Sequence, residues 1–245
     1  MTEPIAGTAA PAQKASFFED LIDIFFQPAD VYRRRETGSY WPALLTVTLL
    51  LAVFTFANAN VLQPIFDAEW SRQAALAAKR GGGQAAIDAM NKMRPMIETG
   101  QKFGAVVFVP VFIFVLGLVT WLVGKLFGAK QTYHAAVMVV SYAFMVRVIE
   151  AVLNGIQGLL MDPASLTALT KIQMSPARFL DTESTNPLLL ALLGRVDLFT
   201  IWLTVLLAVG MYVTGKISRG RAAAFGVTMW ILGSLPALRN GYMAM

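Results

Sequence analysis

Arg147 and Glu150 stand three positions apart in "SYAFMVRVIEAVLNG", a run that is otherwise almost wholly apolar. On a helix the two share a face. An ionised side chain in hydrocarbon costs about 2.5–3.5 kcal/mol on translocon scales, so charges there face other helices or a wet cavity. Asp197, in "VDLFTIW", is a third such group, and Asn154 lies one turn beyond Glu150. Two kinds of chemistry fit Arg147, Glu150, Asp197 and Asn154. One is a satisfied cluster that fixes helix packing; the other is a relay for a proton, an ion or a polar substrate. A relay needs a continuous polar track, and between His134 and Arg147 only Ser141 and Tyr142 are polar. Arg195, two positions from Asp197, is expected to point elsewhere and snorkel outward.

Other chemistry is poorly represented. The chain has no cysteine and one histidine, which excludes a disulfide framework, thiolate metal sites, cysteine nucleophiles and multi-histidine cages. Ser234 and His134 are the nearest pieces of a serine hydrolase, but they are expected on opposite sides of a membrane. The glycines of "RGGGQ" follow no strand and lack the lysine and Ser/Thr of a phosphate-binding loop. No enzyme activity, cofactor or metal is expected. Trp41, Trp70, Trp121, Tyr133 and Trp202 read as interface anchors or packing residues.

The elements that must position the charges follow from composition. Hydrophobic residues make up 56% of the 245-residue chain and charged ones 14%, with a mean hydropathy of +0.59. Soluble domains hold about 45–50% and about 25%. An all-α integral membrane protein is therefore expected, with spans near 41–61, 104–127, 134–160, 188–214 and 221–240. Residues 1–40 form a tail and amphipathic helix, and 41–240 the five-span membrane domain. A cleaved signal peptide is not expected.

Before the first span, Ser16 and Glu19 have capping-box spacing, and Phe17, Leu21, Ile24 and Phe25 share one helical face. Asp20 and Asp23 are placed on the other. This predicts an interfacial amphipathic helix that ends near Pro28 and either lies in the interface, binds a partner or packs on the ends of the spans. In the extramembrane loop 62–103, "DAEWSRQAALAAK" and "QAAIDAMNKMRPMIE" predict a helical hairpin broken at the glycines. Three prolines in the 161–187 connection predict a short helix and turns. Gly117, Gly124 and Gly128 recur on one face and predict close helix packing, with similar openings at Gly155, Gly226 and Gly233. At the helical rise, Arg147 lies about 20 Å, Glu150 about 15 Å and Asp197 about 14 Å from one end of their spans, so one shared cluster is expected.

The net charge of +5 comes from basic residues beside apolar runs, which argues for membrane topology and against nucleic acid. Nine Lys/Arg fall on each side of a five-span arrangement. Those on the N-terminal side, Lys14, Arg33, Arg34, Arg35, Lys125, Lys130, Lys216, Arg219 and Arg221, crowd the span ends. A cytoplasmic N-terminus is expected, with Arg33, Arg34, Arg35, Lys216, Arg219 and Arg221 as topology or lipid anchors.

The segments "QPADVY", "FGAKQTYHAAVMVVSYAF" and "VDLFTIWLTVLLAVGMYVTGKISRGRAA", in that order, resemble the Yip (Ypt/Rab-interacting protein) membrane domain family in its prokaryotic form. The resemblance covers about residues 20–240. It implies a five-span, non-enzymatic protein with a cytoplasmic N-terminus. Eukaryotic members bind Rab GTPases and assist vesicle transport. Here the DLYGP motif is absent, and Met145, Val146 and Arg147 follow "SYAF" where the family commonly has proline, which argues against a Rab-type GTPase. The resulting expectation is a scaffold, assembly or trafficking-type factor of a bacterial inner membrane, with the lipid bilayer and other membrane proteins as partners. The alternative is a small transporter or channel subunit using the intramembrane charges.

Overall fold

The computed structural model describes residues 16–244, so Lys14 and the rest of the tail lie outside the described residues. No strand occurs among them. The helices are α1 (Phe17–Phe26), α2 (Pro28–Arg35), α3 (Trp41–Asn58), α4 (Gln63–Ala77), α5 (Gly83–Leu126), α6 (Tyr133–Ala143), α7 (Met145–Leu160), α8 (Pro187–Gly194), α9 (Leu198–Gly215) and α10 (Arg219–Met243). Five stretches are long and apolar enough to cross a membrane: Trp41–Asn58, Gln63–Leu126, Tyr133–Leu160, Leu198–Gly215 and Arg219–Met243.

The third span is the centre of the bundle. Every residue of α6 from Ala135 to Ala143 is buried, and α3, α5 and α9 pack around it. Such contact requires small residues on the neighbours. A Cβ on Gly117 would lie 2.8 Å from Val137 Cγ2, and one on Gly210 would overlap Val139 Cγ1 and sit 2.9 Å from its Cγ2. Gly210→Leu is therefore expected to destabilise the bundle by about 1–3 kcal/mol or more through overpacking. Thermal unfolding in mild detergent measures this, with the lipid-facing Val205→Leu as control.

Gly124 also permits close approach, its missing Cβ leaving room for Met211, but Gly128 corrects the expected packing stripe. It lies past the end of α5 at φ +79°, where glycine is favoured. Its N–H donates to Lys125 O and the next, of Ala129, to Gly124 O, both at 3.0 Å, as in a Schellman cap. Gly128 ends the second span; it does not pack it.

Two spans differ from the expected boundaries. α5 runs unbroken for 44 residues, about 66 Å at the helical rise, so half of the 62–103 loop is continuous with the second span. The predicted break falls at the turn Ala78–Gly82, where Gly81 adopts φ +101°. Arg94 pins α4 to α5 by pairing with Asp67 and with Glu98 at 2.7 Å, and it lies over the Phe66 ring. The fourth span, expected as one helix over 188–214, is divided: α8 ends at Gly194, and Asp197 starts α9 anew. The 161–187 connection holds three short 3-10 turns.

Before the first span, α1 and α2 form an antiparallel hairpin against the bundle. Ser16 and Glu19 complete the capping box. The apolar face packs as expected, with Ile24 buried and Phe17, Leu21 and Phe25 against the core. Asp20 does not remain on a polar face: it is fully buried. Arg35 bonds its Oδ2, and Arg34 lies 2.7 Å from its Oδ1 while hydrogen-bonding Asp23 at 2.6 Å. Arg34 and Arg35 are thus bound within the chain. Arg33 pairs with Asp30 at 2.5 Å, Lys216 with Glu36 at 2.7 Å, and Arg219 lies over the Tyr212 ring. Burial pushes the Tyr32 phenol above its ordinary pKa.

Candidate functional site

The charges of the third and fourth spans meet through one residue, Thr200. Arg147 donates from Nη1 to Glu150 Oε2 at 2.5 Å and from Nη2 to Thr200 Oγ1 at 3.3 Å. Asp197 caps α9, its Oδ1 accepting from the Thr200 N–H at 3.0 Å. Thr200 O in turn accepts from Thr204 Oγ1 at 2.8 Å. Arg147 and Asp197 therefore belong to one network without a direct ion pair within 4 Å. The expected shared cluster is corrected to a local Arg147–Glu150 pair joined to a helix cap.

Local sequence explains each part. Arg147 and Glu150 are one turn apart on α7, so the pair forms wherever that turn is helical. Aspartate is a strong N-cap residue, and its carboxylate takes an amide that would otherwise be bare at the start of α9. Asp197 is 2% exposed, and its Oδ2 has no hydrogen-bond partner.

Arg195 turns inward, contrary to the expected snorkel. Its Nε donates to Ser234 Oγ at 3.2 Å, Ser234 Oγ donates to Trp230 O at 2.7 Å, and Trp230 Nε1 donates to Arg195 O at 3.0 Å. This closed set ties the α8–α9 break to α10. It also occupies Ser234. His134 is elsewhere, its Nε2 at 2.8 Å from Gly38 O near the Lys216 end of the bundle. Among the described residues no group of three His, Cys, Asp or Glu could hold a metal ion.

Asn154 faces a different feature, a cleft of about 380 Å³ at the far end of the first and third spans. Asn58, Gln63, Glu98, Gln101 and Lys102 also line it. Asn154 Oδ1 is buried without a hydrogen-bond partner. Asn58 Nδ2 donates to Ala151 O at 2.8 Å, and a Cβ on Gly155 would overlap the Asn58 side chain. This α3–α7 link, absent from the sequence reading, had a signal in the asparagine at the end of an apolar span opposite a glycine.

Toward the Lys216 end, between Arg147 and His134, α6 carries two polar side chains, Ser141 and Tyr142, both buried. Ser141 Oγ is bonded to Val137 O of its own helix at 2.8 Å, and Tyr142 is 1% exposed. Hydrogen bonds thus link α7 to α9 and the α8–α9 break to α10, and a mixed polar and apolar cleft opens at one end.

The model of the Yip1 domain matches residues 22–238, from within α1 to within α10. The chain belongs to the Yip1 domain family. A curated relative is the "Membrane protein YknW" of Bacillus subtilis (strain 168), 26% identical over 218 residues, covering 89% of this chain and 85% of that protein. No solved structure matches. The Yip1 domain thus includes α1 from Ile22 onward, both halves of the fourth span and the Arg147–Glu150 pair.

Proposed function

We propose that this Yip1-domain protein is a non-enzymatic membrane scaffold or assembly factor that binds other membrane proteins. The observation carrying this reading is α5, a single 44-residue helix that leads from the lipid-facing bundle into the extramembrane hairpin. A helix of about 66 Å is roughly twice the hydrocarbon thickness. Arg94 braces it against α4, so the hairpin is a stiff arm on which Met93 and Met96 are 50% and 67% exposed. Flexible, polarisable methionines suit a protein-binding surface. The dry packing of α6 gives less support to a transporter, and the departures from the eukaryotic pattern speak against a Rab-type GTPase. Basic side chains gathered at the Lys216 end favour a cytoplasmic N-terminus, and the Bacillus relative favours a bacterial inner membrane.

The test is site-specific photo-crosslinking from Met96 in native membranes. One reproducible adduct is expected, lost when two glycines inserted after Gln101 break the arm but retained when they are inserted after Gly220. Absence of any protein adduct along the arm, with proteoliposome transport abolished by Glu150→Gln, would establish the transporter reading instead.

A further inference from the structure

The α1–α2 hairpin stands along the bundle with its turn pointing away from the Lys216 end. Its base is fixed there, where Glu36 pairs with Lys216 at 2.7 Å and Gly38 O meets His134. The Asp20–Arg34, Asp20–Arg35 and Asp23–Arg34 pairs all centre on residues 27–29, so Gln27 and Pro28 form the tip. From Arg35 the eight residues of α2 rise about 12 Å toward it.

The inner contacts show how far the tip reaches. Tyr32 is fully buried, with its hydroxyl 3.5 Å from Val139 O in the third span. The Phe25 ring meets the edge of Trp202 at 5.5 Å between centroids. Trp202 is the fifth residue of α9, with about 20 Å of helix between it and Gly215. Ala29 lines one groove with Thr204, Val205 and Ala208 of the same helix. Each leaflet contributes only about 15 Å of hydrocarbon, so these partners lie beside acyl chains.

The outer face carries Phe18, Ile22 and Phe26, exposed by 74%, 62% and 79%. Their i, i+4, i+8 spacing makes one stripe along α1. Ile201 and Val205 of α9, exposed by 43% and 51%, present a comparable lipid-facing surface on the span that the hairpin leans against. The backbone of the turn suits hydrocarbon, where bare polar groups are costly. Pro28 has no N–H, Gln27 N–H donates to Asp23 O at 2.6 Å, and Gln27 O accepts from Asp30 and Val31. The exposed Asp30–Arg33 pair, neutralised within itself, has to snorkel back toward the headgroups from near the tip, which limits the penetration.

From this geometry we infer that α1–α2 is a re-entrant wedge. It enters the leaflet at the Lys216 end, buries Phe26 among its acyl chains and returns without crossing. Asp20, held between Arg34 and Arg35, latches the two helices together at the base. Immersion increases along α1 from Phe18 at the headgroups, through Ile22, to Phe26 in hydrocarbon.

The chain contains no cysteine, so a nitroxide can be placed by single substitution in the whole protein. Phe18→Cys, Ile22→Cys and Phe26→Cys, each labelled in phosphatidylethanolamine–phosphatidylglycerol vesicles, are compared for collision with oxygen and with a water-soluble nickel chelate. The oxygen-to-nickel ratio is expected to rise in that order and to approach, at Phe26, the ratio of a label at Val205→Cys. Equal nickel access at Phe18 and Phe26 would overturn the wedge by placing the hairpin in water. Exclusion of both reagents at Phe26 would also overturn it, by placing protein against the stripe. Adding Asp20→Asn to Phe26→Cys opens the latch and is expected to raise nickel access at Phe26; an unchanged value in a folded variant would remove Asp20 from the proposal.

Discussion

Asp20→Ala is expected to lower stability by about 3–5 kcal/mol, the usual consequence of removing one partner from a buried ion pair. Asp20 is fully buried, whereas the Arg34 and Arg35 side chains are 32% and 29% exposed. Removing the carboxylate takes from Arg34 and Arg35 the buried acceptor that they share, while Ile24, Val31 and Tyr32 rely on the hairpin for their packing. Denaturation in mixed detergent micelles measures the loss. Arg34→Ala in the Asp20→Ala background should add much less than it does alone, because the two act on one interaction. Strictly additive losses would show that Asp20 and Arg34 are not coupled. Asp20→Asn keeps the shape without the charge and should fall between wild type and alanine.

The second large effect is expected at Arg147. Arg147→Ala strands Glu150 in an apolar span, at about 2.5–3.5 kcal/mol on translocon scales. Adding Glu150→Gln should recover most of the folded yield, read by size-exclusion chromatography, because it removes the stranded charge. Adding Asp197→Ala should instead deepen the loss by about 1 kcal/mol, the typical cost of a lost N-cap. This pattern separates the observed local pair from a cluster built on Asp197. Recovery with Asp197→Ala and none with Glu150→Gln would mean that the arginine answers to the fourth span.

Several features are legible in the chain because they depend on neighbours in sequence. Spans show as apolar runs, and the capping box at Ser16 and the break at Gly81 are set by residues within one turn. Arg147–Glu150 is of the same kind. Local pattern does not suffice where an average over a window conceals one residue. "LLLALLGRVDLFTIWL" is apolar enough to pass as one helix, yet Asp197 is a better cap than a helix interior residue, and Arg195 finds Ser234 only because α10 lies alongside. Gly128 has the spacing of a packing motif, but its positive φ comes from the chain reversal after α5.

The sequence by itself determined that lipid is the main solvent, that five segments can cross it, that the 62–103 segment folds back at its glycines and that Arg147 and Glu150 share a face. Composition and helical spacing suffice for these. Only the tertiary structure decided that Asp20 is buried between Arg34 and Arg35, that Asn58 holds α7, that Thr200 joins Arg147 to the α9 cap and that Phe25 reaches Trp202. The physical reason is the same in each case. Those contacts join residues distant in the chain, and their energy depends on which helix faces lie together, a quantity that no local pattern of hydropathy or charge contains.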